Sequence, residues 1–384
     1  GALWSEDTQV MTDCLERLGF AVTVAPDPLE PANRTLTVAG QGGFLPRGGT
    51  ATEPLELFVG NAGTAARFLA ALVCLGPGWY RLSGVPRMHE RPQGGLFSAL
   101  RQLGYEVRAA GDRLPAVIQG GHGRRPGRCV VSVAESSQFA SALLLSAPVG
   151  GWEVALAGQA TADEAPYVAM TGRLVEVFPR RGGTFAIEPD ASSGSYFWAA
   201  GWLASRGGTG RGALPFTVRH WPASGWQIDA EFPRYLPLPA EVSREIHLGD
   251  SIMTAIVLAP WADAPVRFTD LGRLRVQECE RVRALRTELA KCGARVTETG
   301  DTLVVEPGPL HGAEIDTYQD HRMAMCFATL GLKVPGVKIR NPACVRKTFP
   351  NFFSKLAGRP PEGLGAVLRD ARGRPLSGDA LLAG

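Results

Sequence analysis

Long apolar runs, closely spaced cysteines and a large net charge of either sign are all missing from this chain of 384 residues. No apolar stretch reaches the ~18 residues of a membrane-spanning helix, and no basic segment followed by an apolar core opens the sequence. We therefore expect neither a membrane span nor a signal peptide. The formal net charge of +3 gives no reason to expect a nucleic-acid partner, so any anion site has to come from a local cluster of cations.

Cysteine is sparse and scattered. The seven cysteines are odd in number, show no Cys-x-x-Cys spacing and lie mostly in apolar runs, where a free thiol packs as a small hydrophobic group. This pattern predicts a reduced, cytoplasmic protein without a structural metal.

What is present is an ordinary globular composition, with 45% hydrophobic and 20% charged residues. The length favours two domains over one. Glycine is frequent, with 47 residues, which predicts many tight turns and places where the backbone approaches a ligand.

One local pattern occurs three times. Apolar residues at helical spacing in 7–18, 96–103 and 282–292 are each followed by a glycine and then by a strand-like segment. Because a left-handed glycine ends many helices, each copy predicts a helix, a glycine cap and a strand. Their recurrence in both halves predicts an α/β protein built by duplication. The Gly/Pro-rich segment 358–384 predicts a weakly ordered tail.

Two segments of the first half combine turns with anion-binding groups. Gly63 and Thr64 precede the apolar run 68–75, which predicts a helix start that offers N–H groups and a hydroxyl to an anion, or else a plain N-cap. Arg87 and Arg91 lie four residues apart in a predicted loop, and their guanidinium groups suit carboxylate and phosphate.

A pair of hydroxyls marks a third segment. Ser136 and Ser137 precede the apolar, helix-like run 140–147. Hydroxyls at a helix N-terminus suit a phosphate, although capping alone explains one of them.

In the second half, cations at turns recur in 274–281, 320–325 and 347–350. Each segment alone could form a salt-bridged surface. Together, on a nearly neutral chain, they predict a cleft for a polyanionic small molecule. Its acid/base groups are expected among three residues: Asp250, Glu278 and His321.

Seven short motifs resemble those of 5-enolpyruvylshikimate-3-phosphate synthases and occur in the order of that family, and the resemblance as a whole runs over about residues 3–356. They are Asn61-Ala62-Gly63-Thr64-Ala65, Arg87-Met88-x-x-Arg91-Pro92, Ser136-Ser137-Gln138-Phe139, Glu188-Pro189-Asp190-Ala191-Ser192-Ser193, Arg275-Val276-x-Glu278-x-x-Arg281, Asp320-His321-Arg322-Met323-Ala324-Met325 and Lys347-Thr348-Phe349-Pro350.

The resemblance implies an α/β, two-domain enolpyruvyl transferase fold. In this family each domain consists of three repeated βαβαββ units (an inside-out α/β barrel), and the domains close over a cleft where helix N-termini converge. The implied domains are 1–187 and 188–357, followed by the tail 358–384. The family is usually monomeric and needs no cofactor.

The resemblance also implies the reaction: transfer of the enolpyruvyl group of phosphoenolpyruvate to the 5-hydroxyl of shikimate 3-phosphate, with release of phosphate. Asp250 then corresponds to the base, Glu278 to the proton shuttle, and His321 lies beside them in a catalytic or a structural role. The implied phosphoenolpyruvate ligands are Arg91, Arg281, Arg322 and Lys347, with room left by Gly63, where glyphosate competes in this family. The implied ligands of shikimate 3-phosphate are Ser136, Ser137, Gln138 and Tyr167.

The sequence departs from the family pattern at several points. The family's Gly-Ser-Lys-Ser-x-x-x-Arg segment, which touches both substrates in that family, has no counterpart here, so we expect the first domain to be incomplete at its N-terminus. The sequence leaves open a functional synthase whose upstream residues are absent from this sequence and a non-catalytic fragment. Glu164 stands where a serine is frequent, Gln277 replaces a frequent lysine, and Arg273 replaces a frequent asparagine. Arg273 is a candidate to supply the positive charge that Gln277 lacks.

Three alternatives stay open from the sequence. The chain could be a non-catalytic fragment or pseudoenzyme, or a transferase for another phosphorylated acceptor. It could also resemble the UDP-N-acetylglucosamine enolpyruvyl transferases, but the cysteine that those enzymes carry near the arginine pair is absent from 87–92.

Overall fold

The structure is a computed structural model that describes residues 1–121, 123–158, 166–205 and 217–382. The chain divides into two compact units, Gly1–Phe185 and Ala186–Gly384. The division falls two residues before the boundary at 187 that the sequence suggests.

The first unit alternates helices and strands. Its strands are β1 (Ala2–Leu3), β2 (Val22–Pro26), β3 (Asn33–Val38), β4 (Leu55–Phe58), β5 (Trp79–Ser83), β6 (Val107–Ala109), β7 (Ala116–Gln119), β8 (Gly127–Val131) and β9 (Trp152–Leu156). Its helices are α1 (Glu6–Arg17), α2 (Gly63–Leu72), α3 (Pro86–Glu90), α4 (Gly94–Gln102), α5 (Gln138–Gly150) and α6 (Pro166–Val177).

One complete βαβαββ unit lies in the middle of this first unit. Its sheet has the order β4-β5-β7-β6, with β4 parallel to β5 and the other neighbours antiparallel. Helix α2 connects β4 to β5, and α4 leads from β5 to β6. The sheet β1-β3-β2, with α1 after β1, repeats the second half of this arrangement, and the parallel pair β8 and β9, joined by α5, repeats the first half.

The second unit has the same alternation. Its strands are β10 (Glu241–Ser243), β11 (Val266–Thr269), β12 (Arg295–Thr299), β13 (Thr302–Glu306), β14 (Glu314–Ile315) and β15 (Lys338–Ile339). Its helices are α7 (Ala191–Ser205), α8 (Ile252–Leu258), α9 (Arg281–Lys291), α10 (His321–Gly331) and α11 (Phe352–Ala357).

The sheet order β10-β11-β13-β12 reproduces that of β4-β5-β7-β6 strand for strand. The first two strands are again parallel and joined by a helix, here α8, while α9 leads to an antiparallel pair. Strands β14 and β15, joined by α10, begin a further copy. The predicted α/β fold from repeated βαβαββ units is therefore confirmed.

Glycine ends the three helices for which the sequence predicts it. Gly19, Gly104 and Gly293 have φ values of +93°, +82° and +91°, directly after α1, α4 and α9. A residue with a side chain is strained in this left-handed region, so the glycine turns each chain into the following strand.

Each unit has its own hydrophobic core. In the second unit every residue of α8 is buried, and α10 packs beside it through residues such as Met323 and Phe327. Burial of each such side chain contributes about 1.5–3 kcal/mol. In the first unit the corresponding central helix is α2, through Ala66 and Leu69. The loops that precede these buried helices are thereby held rigidly.

Two predicted details differ. Arg87 lies in the short helix α3 rather than in a loop, because Pro86 presets the backbone of the first helical turn. The segment after α11 is ordered by backbone hydrogen bonds from Leu364 to Lys355 and from Ala366 to Leu356, and it packs on the core of the second unit. No helix of the described residues is long and apolar enough to cross a membrane.

Candidate active site

In the first unit, the start of α2 and the start of α5 are linked by polar side chains. Arg67, only 2% exposed, donates from Nη1 to Oε1 of Gln138 at 3.4 Å and from Nη2 to the Pro92 carbonyl at 3.1 Å. The Nε2 of Gln138 donates in turn to the Thr64 hydroxyl at 3.3 Å. These residues, with Gly63 and Arg91, form what we call the α2–α5 cluster.

Arg91 reaches this cluster from the end of α3. It is 6% exposed, and its Nη1 donates to the carbonyl of Asn61 at 3.0 Å. Asn61 lies two residues before α2, so the bond fixes the guanidinium group beside the first turn of that helix. Two nearly buried guanidinium groups thus meet at one helix N-terminus, where the dipole also favours an anion.

Gly63 is surrounded closely by this cluster. A Cβ atom at this position would lie 2.5 Å from Nη1 of Arg67 and 2.7 Å from Nη2 of Arg91. Such distances are far below van der Waals contact, so only glycine leaves both guanidinium groups where they are.

The remaining predicted residues of the first unit lie on α5 and α6. Ser136 accepts the backbone N–H of Gln138 through its hydroxyl at 3.3 Å, and Ser137 is the N-cap residue of α5. Tyr167 lies in the first turn of α6, and its carbonyl accepts the hydroxyl of Thr171 at 2.8 Å. Thr171 also bonds to Ser141 of α5, which fixes the two helices together. Glu164 lies outside the described residues.

In the second unit, the buried Arg281 connects the start of α9 to the start of α10. It is 1% exposed and donates from Nε and Nη2 to the two oxygens of Asp320, at 2.7 and 3.1 Å. Its Nη2 also lies 2.8 Å from Oε2 of Glu278, whose Oε1 is 3.3 Å from Nζ of Lys347. The predicted proton shuttle is therefore held between two cations, and we call these four residues the Arg281 network.

Arg322 follows on α10 and faces the other predicted carboxylate. Its Nη2 donates to the hydroxyl of Ser192 at 2.9 Å and lies 3.4 Å from Oδ2 of Asp250. Asp250 lies just before α8 and is also paired with Arg244. Although burial acts to raise it, the pKa of Asp250 is held well below its ordinary value by Arg322, Arg244 and Arg281.

His321 begins α10 and is 4% exposed. Burial, followed by the nearby charge of Lys347, lowers its pKa from 6.5 to about 3. The imidazole is therefore neutral at physiological pH, so it does not add a positive charge to the site.

The depressed pKa of His321 has a consequence for stability. Between pH 6.5 and about 3 the unfolded chain binds a proton at this residue and the folded protein does not, so stability falls as the pH falls. We expect His321→Gln to become more stable relative to the parent protein by about 2 kcal/mol between pH 8 and pH 5. Urea unfolding at both pH values measures this change, and the exposed His311→Gln is the matched control. Equal pH dependence in His321→Gln and the parent would contradict the neutral state of His321.

Other residues singled out from the sequence have clear places. Arg275 pairs with Glu298 and Asp301 at 2.9 Å each, outside the Arg281 network. Gln277 accepts Nη1 of Arg281 at 2.5 Å, so the residue in the place of the family lysine helps to hold the network. Arg273 lies on the short 3-10 helix Gly272–Val276, and its expected role stays a prediction.

Sequence reasoning did not assign several residues of these clusters. Asp320 stands inside a quoted motif and Arg67 lies two residues after one, but the sequence did not predict the burial of either residue or its contacts within its own cluster. Arg244 lies outside every motif and is found only because the structure brings it to Asp250. Within the described ranges, no three His, Cys, Asp or Glu side chains are grouped as a metal ion would require.

The chemistry of the clusters is that of anion binding combined with proton transfer. Each contains arginines that are nearly buried, which strengthens their interaction with carboxylate or phosphate. The second unit adds two carboxylates, Asp250 and Glu278, in contact with cations. Such groups can remove a proton from a hydroxyl and deliver one to carbon.

Comparisons with known proteins agree with this chemistry. The profile of the family described as EPSP synthase (3-phosphoshikimate 1-carboxyvinyltransferase) matches residues 1–179 and 240–356. A relative from Trichormus variabilis named 3-phosphoshikimate 1-carboxyvinyltransferase is 37% identical, with 92% of this chain and 88% of the relative covered. One of the same name from Opitutus terrae is 39% identical, with 93% and 87% covered.

Solved structures support the fold. The EPSP synthase from Acinetobacter baumannii matches with a TM-score of 0.60 at 18% identity, over 91% of this chain and 86% of that one. The enolpyruvyl transferase NikO from Streptomyces tendae matches with a TM-score of 0.55 at 14% identity, over 92% and 86%. The fold, the family profile and the curated relatives agree: this chain belongs to the EPSP synthase family.

Proposed function

We propose that this protein transfers the enolpyruvyl group of phosphoenolpyruvate to the 5-hydroxyl of shikimate 3-phosphate and releases phosphate, a step of aromatic amino acid biosynthesis. The observation that carries the proposal is the second unit's pair of carboxylates in contact with buried cations: Asp250 with Arg322, and Glu278 between Arg281 and Lys347. The cations are needed because the substrates are anions, and the carboxylates are needed because the reaction transfers protons.

The first step is an addition. The 5-hydroxyl oxygen bonds to the central carbon of phosphoenolpyruvate, and its proton passes to Asp250. The methylene carbon takes a proton from Glu278 and becomes a methyl group, which gives a tetrahedral intermediate. The low pKa of Asp250 means that this carboxylate is ionised before the reaction, as a proton acceptor has to be.

The second step is an elimination. The methyl group returns one proton to Glu278, the carbon–oxygen bond to the phosphate breaks, and phosphate leaves with the proton that Asp250 held. Glu278 begins and ends the cycle as a carboxylic acid, and Asp250 begins and ends it as a carboxylate, so atoms and charges balance. Lys347, 3.3 Å from Glu278, stabilises its carboxylate form between the two transfers.

The binding residues divide by charge. Arg91, Arg281, Arg322 and Lys347 are proposed to bind phosphoenolpyruvate, with His321 beside them. Because Arg281 already donates to Asp320, it acts on the substrate mainly through its charge. Ser136, Ser137, Gln138 and Tyr167 are proposed to bind shikimate 3-phosphate through hydroxyl and amide groups.

Gly63→Ala tests the close packing of the α2–α5 cluster. The added methyl has to displace the Arg67 or Arg91 guanidinium, which lie 2.5 and 2.7 Å from its position. A displaced Arg91 guanidinium loses a hydrogen bond to a charged substrate, which is worth about 1.5–3 kcal/mol, so we expect the KM for phosphoenolpyruvate to rise by about 10–150-fold. Steady-state kinetics measure it, with Gly172→Ala on α6 as control, since its Cβ meets no atom within 4 Å. An unchanged KM would contradict the proposed contact of Arg91 with phosphoenolpyruvate.

Phosphate release with different acceptors tests the proposed function itself. We expect release from phosphoenolpyruvate with shikimate 3-phosphate and not with UDP-N-acetylglucosamine. The reverse preference would contradict the proposal and favour the related transferases.

We also infer that the protein acts as a monomer in the cytoplasm. Its seven cysteines carry free thiols, as suits a reducing compartment, and each unit has a core of its own. Light scattering of the purified protein measures the mass, and a dimer would contradict the monomer.

A further inference from the structure

Asp250 has a closer partner than the motif arginine. Its Oδ1 accepts from Nη2 of Arg244 at 2.7 Å, whereas Arg322 lies 3.4 Å from Oδ2. Arg322 also divides its donors between Ser192 and Tyr196, at 2.9 and 3.4 Å. Arg244 is therefore the closer of these two arginines to the Asp250 carboxylate.

Arg244 is itself fixed in place. It directly follows β10, is 5% exposed, and its backbone N–H donates to the Thr269 carbonyl at the end of β11 at 3.1 Å. The preceding Ser243 is bonded through its hydroxyl to Asp270. The guanidinium of Arg244 therefore reaches Asp250 from the end of a sheet strand whose backbone is fixed by hydrogen bonds.

A buried carboxylate also holds the loop of Asp250 in place. Asp229, 3% exposed, accepts both the backbone N–H and the hydroxyl of Ser251, the N–H at 2.9 Å. Ser251 is the residue that joins Asp250 to α8, whose residues are all buried. Asp229 therefore fixes the backbone beside Asp250, while Arg244 fixes the carboxylate.

We propose that Arg244 is a positioning residue for the transfer reaction: it holds the Asp250 carboxylate in its orientation while a substrate anion takes over Arg322. This inference rests on the proposed function for the identity of the reaction, but the pairing that it describes can be tested without turnover.

Three arginines place positive charge around Asp250. The charged groups that face it are Arg322, Arg244 and, further away, Arg281. When an anion binds to Arg322, the negative charge of the anion largely cancels the electrostatic effect of Arg322 on the Asp250 carboxylate. Without Arg244, the half-buried Asp250 carboxylate would lose its 2.7 Å hydrogen bond from a cation that is fixed to the sheet. A carboxylate that is no longer held in this orientation takes the proton of the substrate hydroxyl less efficiently.

The sharpest test compares Arg244→Gln, Arg244→Lys and the parent protein by carbon-13 NMR of labelled aspartate carboxyls, with Asp250→Asn to assign the Asp250 signal. We expect the pKa of Asp250 to rise by about 1–3 units in Arg244→Gln, and Arg244→Lys to lie between. Arg267→Gln, an exposed arginine on β11, is the matched control. An unchanged Asp250 titration in folded Arg244→Gln overturns the proposal.

Kinetics give the second readout. We expect kcat of Arg244→Gln to fall by up to about 10²-fold, as for other misplaced reacting groups, with the KM of both substrates changed less than about threefold. The loss should vanish in the Asp250→Asn background, because Arg244 acts through Asp250. A raised KM with unchanged kcat would instead make Arg244 a substrate ligand and overturn the proposal. If the Asp250 titration shifts in Arg244→Gln but the parent protein releases no phosphate, the Arg244–Asp250 pairing is supported and the proposed function is contradicted.

Discussion

Glu278→Gln is expected to lower kcat by about 10²–10⁴-fold with little change in the KM for either substrate. Glutamine keeps the size of the side chain and its oxygen can still accept from Lys347, 3.3 Å from Oε1 in the parent. What is lost is the group that gives a proton to the methylene carbon and takes one back. Steady-state phosphate release measures the effect.

The control for this substitution is Glu306→Gln in the same unit. Glu306 pairs with Arg295 on the surface of β13, and both side chains are largely exposed. We expect its activity to equal that of the parent. If Glu278→Gln kept more than about a tenth of the parent kcat, Glu278 would not be the proton shuttle.

Asp320→Asn is expected to reduce the free energy of unfolding by about 3–5 kcal/mol. Asp320 is fully buried and is the bidentate partner of Arg281, which is 1% exposed. Without this carboxylate, a guanidinium shielded from water loses the partner that binds it through two oxygens, although Glu278 stays 2.8 Å away. Urea unfolding monitored in the second unit measures the loss.

The stabilising contribution of the Asp320 carboxylate depends on pH in a direction that its pKa predicts. Against the effect of burial, Arg281 holds the pKa of Asp320 below its ordinary value of 3.8. Its stabilising contribution is therefore complete above that value and is lost as the pH falls through the lower folded-state pKa. The surface variant Asp301→Asn, from an exposed pair with Arg275, should cost no more than about 1 kcal/mol. A loss for Asp320→Asn as small as this would contradict the importance of the Arg281 network.

The fold was predictable from the sequence where local signals carry it. The helices α1, α4 and α9 follow from apolar periodicity, and Gly19, Gly104 and Gly293 mark their ends. The pairing order of the strands does not follow from local sequence, because β5 pairs with β7 and β11 with β13, and each pairing passes over the strand that lies between them in the chain. The helix of Arg87 was missed because five residues are too few to show a period.

The site was predictable as far as its motifs reach. The structure places Gly63, Arg91 and Gln138 together, and it places Glu278 between Arg281 and Lys347. Arg244 was not predictable, since a single arginine after a short strand has no distinguishing pattern. Only the pairing of β10 with β11, which fixes its backbone, brings it to Asp250.

The most direct test of the proposed addition and elimination is to run the reaction in deuterated water. Phosphoenolpyruvate and shikimate 3-phosphate are incubated with the protein, and the product is analysed by mass spectrometry and NMR for deuterium in the enolpyruvyl methylene. Protonation to a methyl group followed by loss of one of its three hydrogens predicts a product that carries solvent deuterium, and Glu278→Gln should form almost none of this product. A folded protein that forms no enolpyruvyl product, or a product free of deuterium, would contradict enolpyruvyl transfer by addition and elimination.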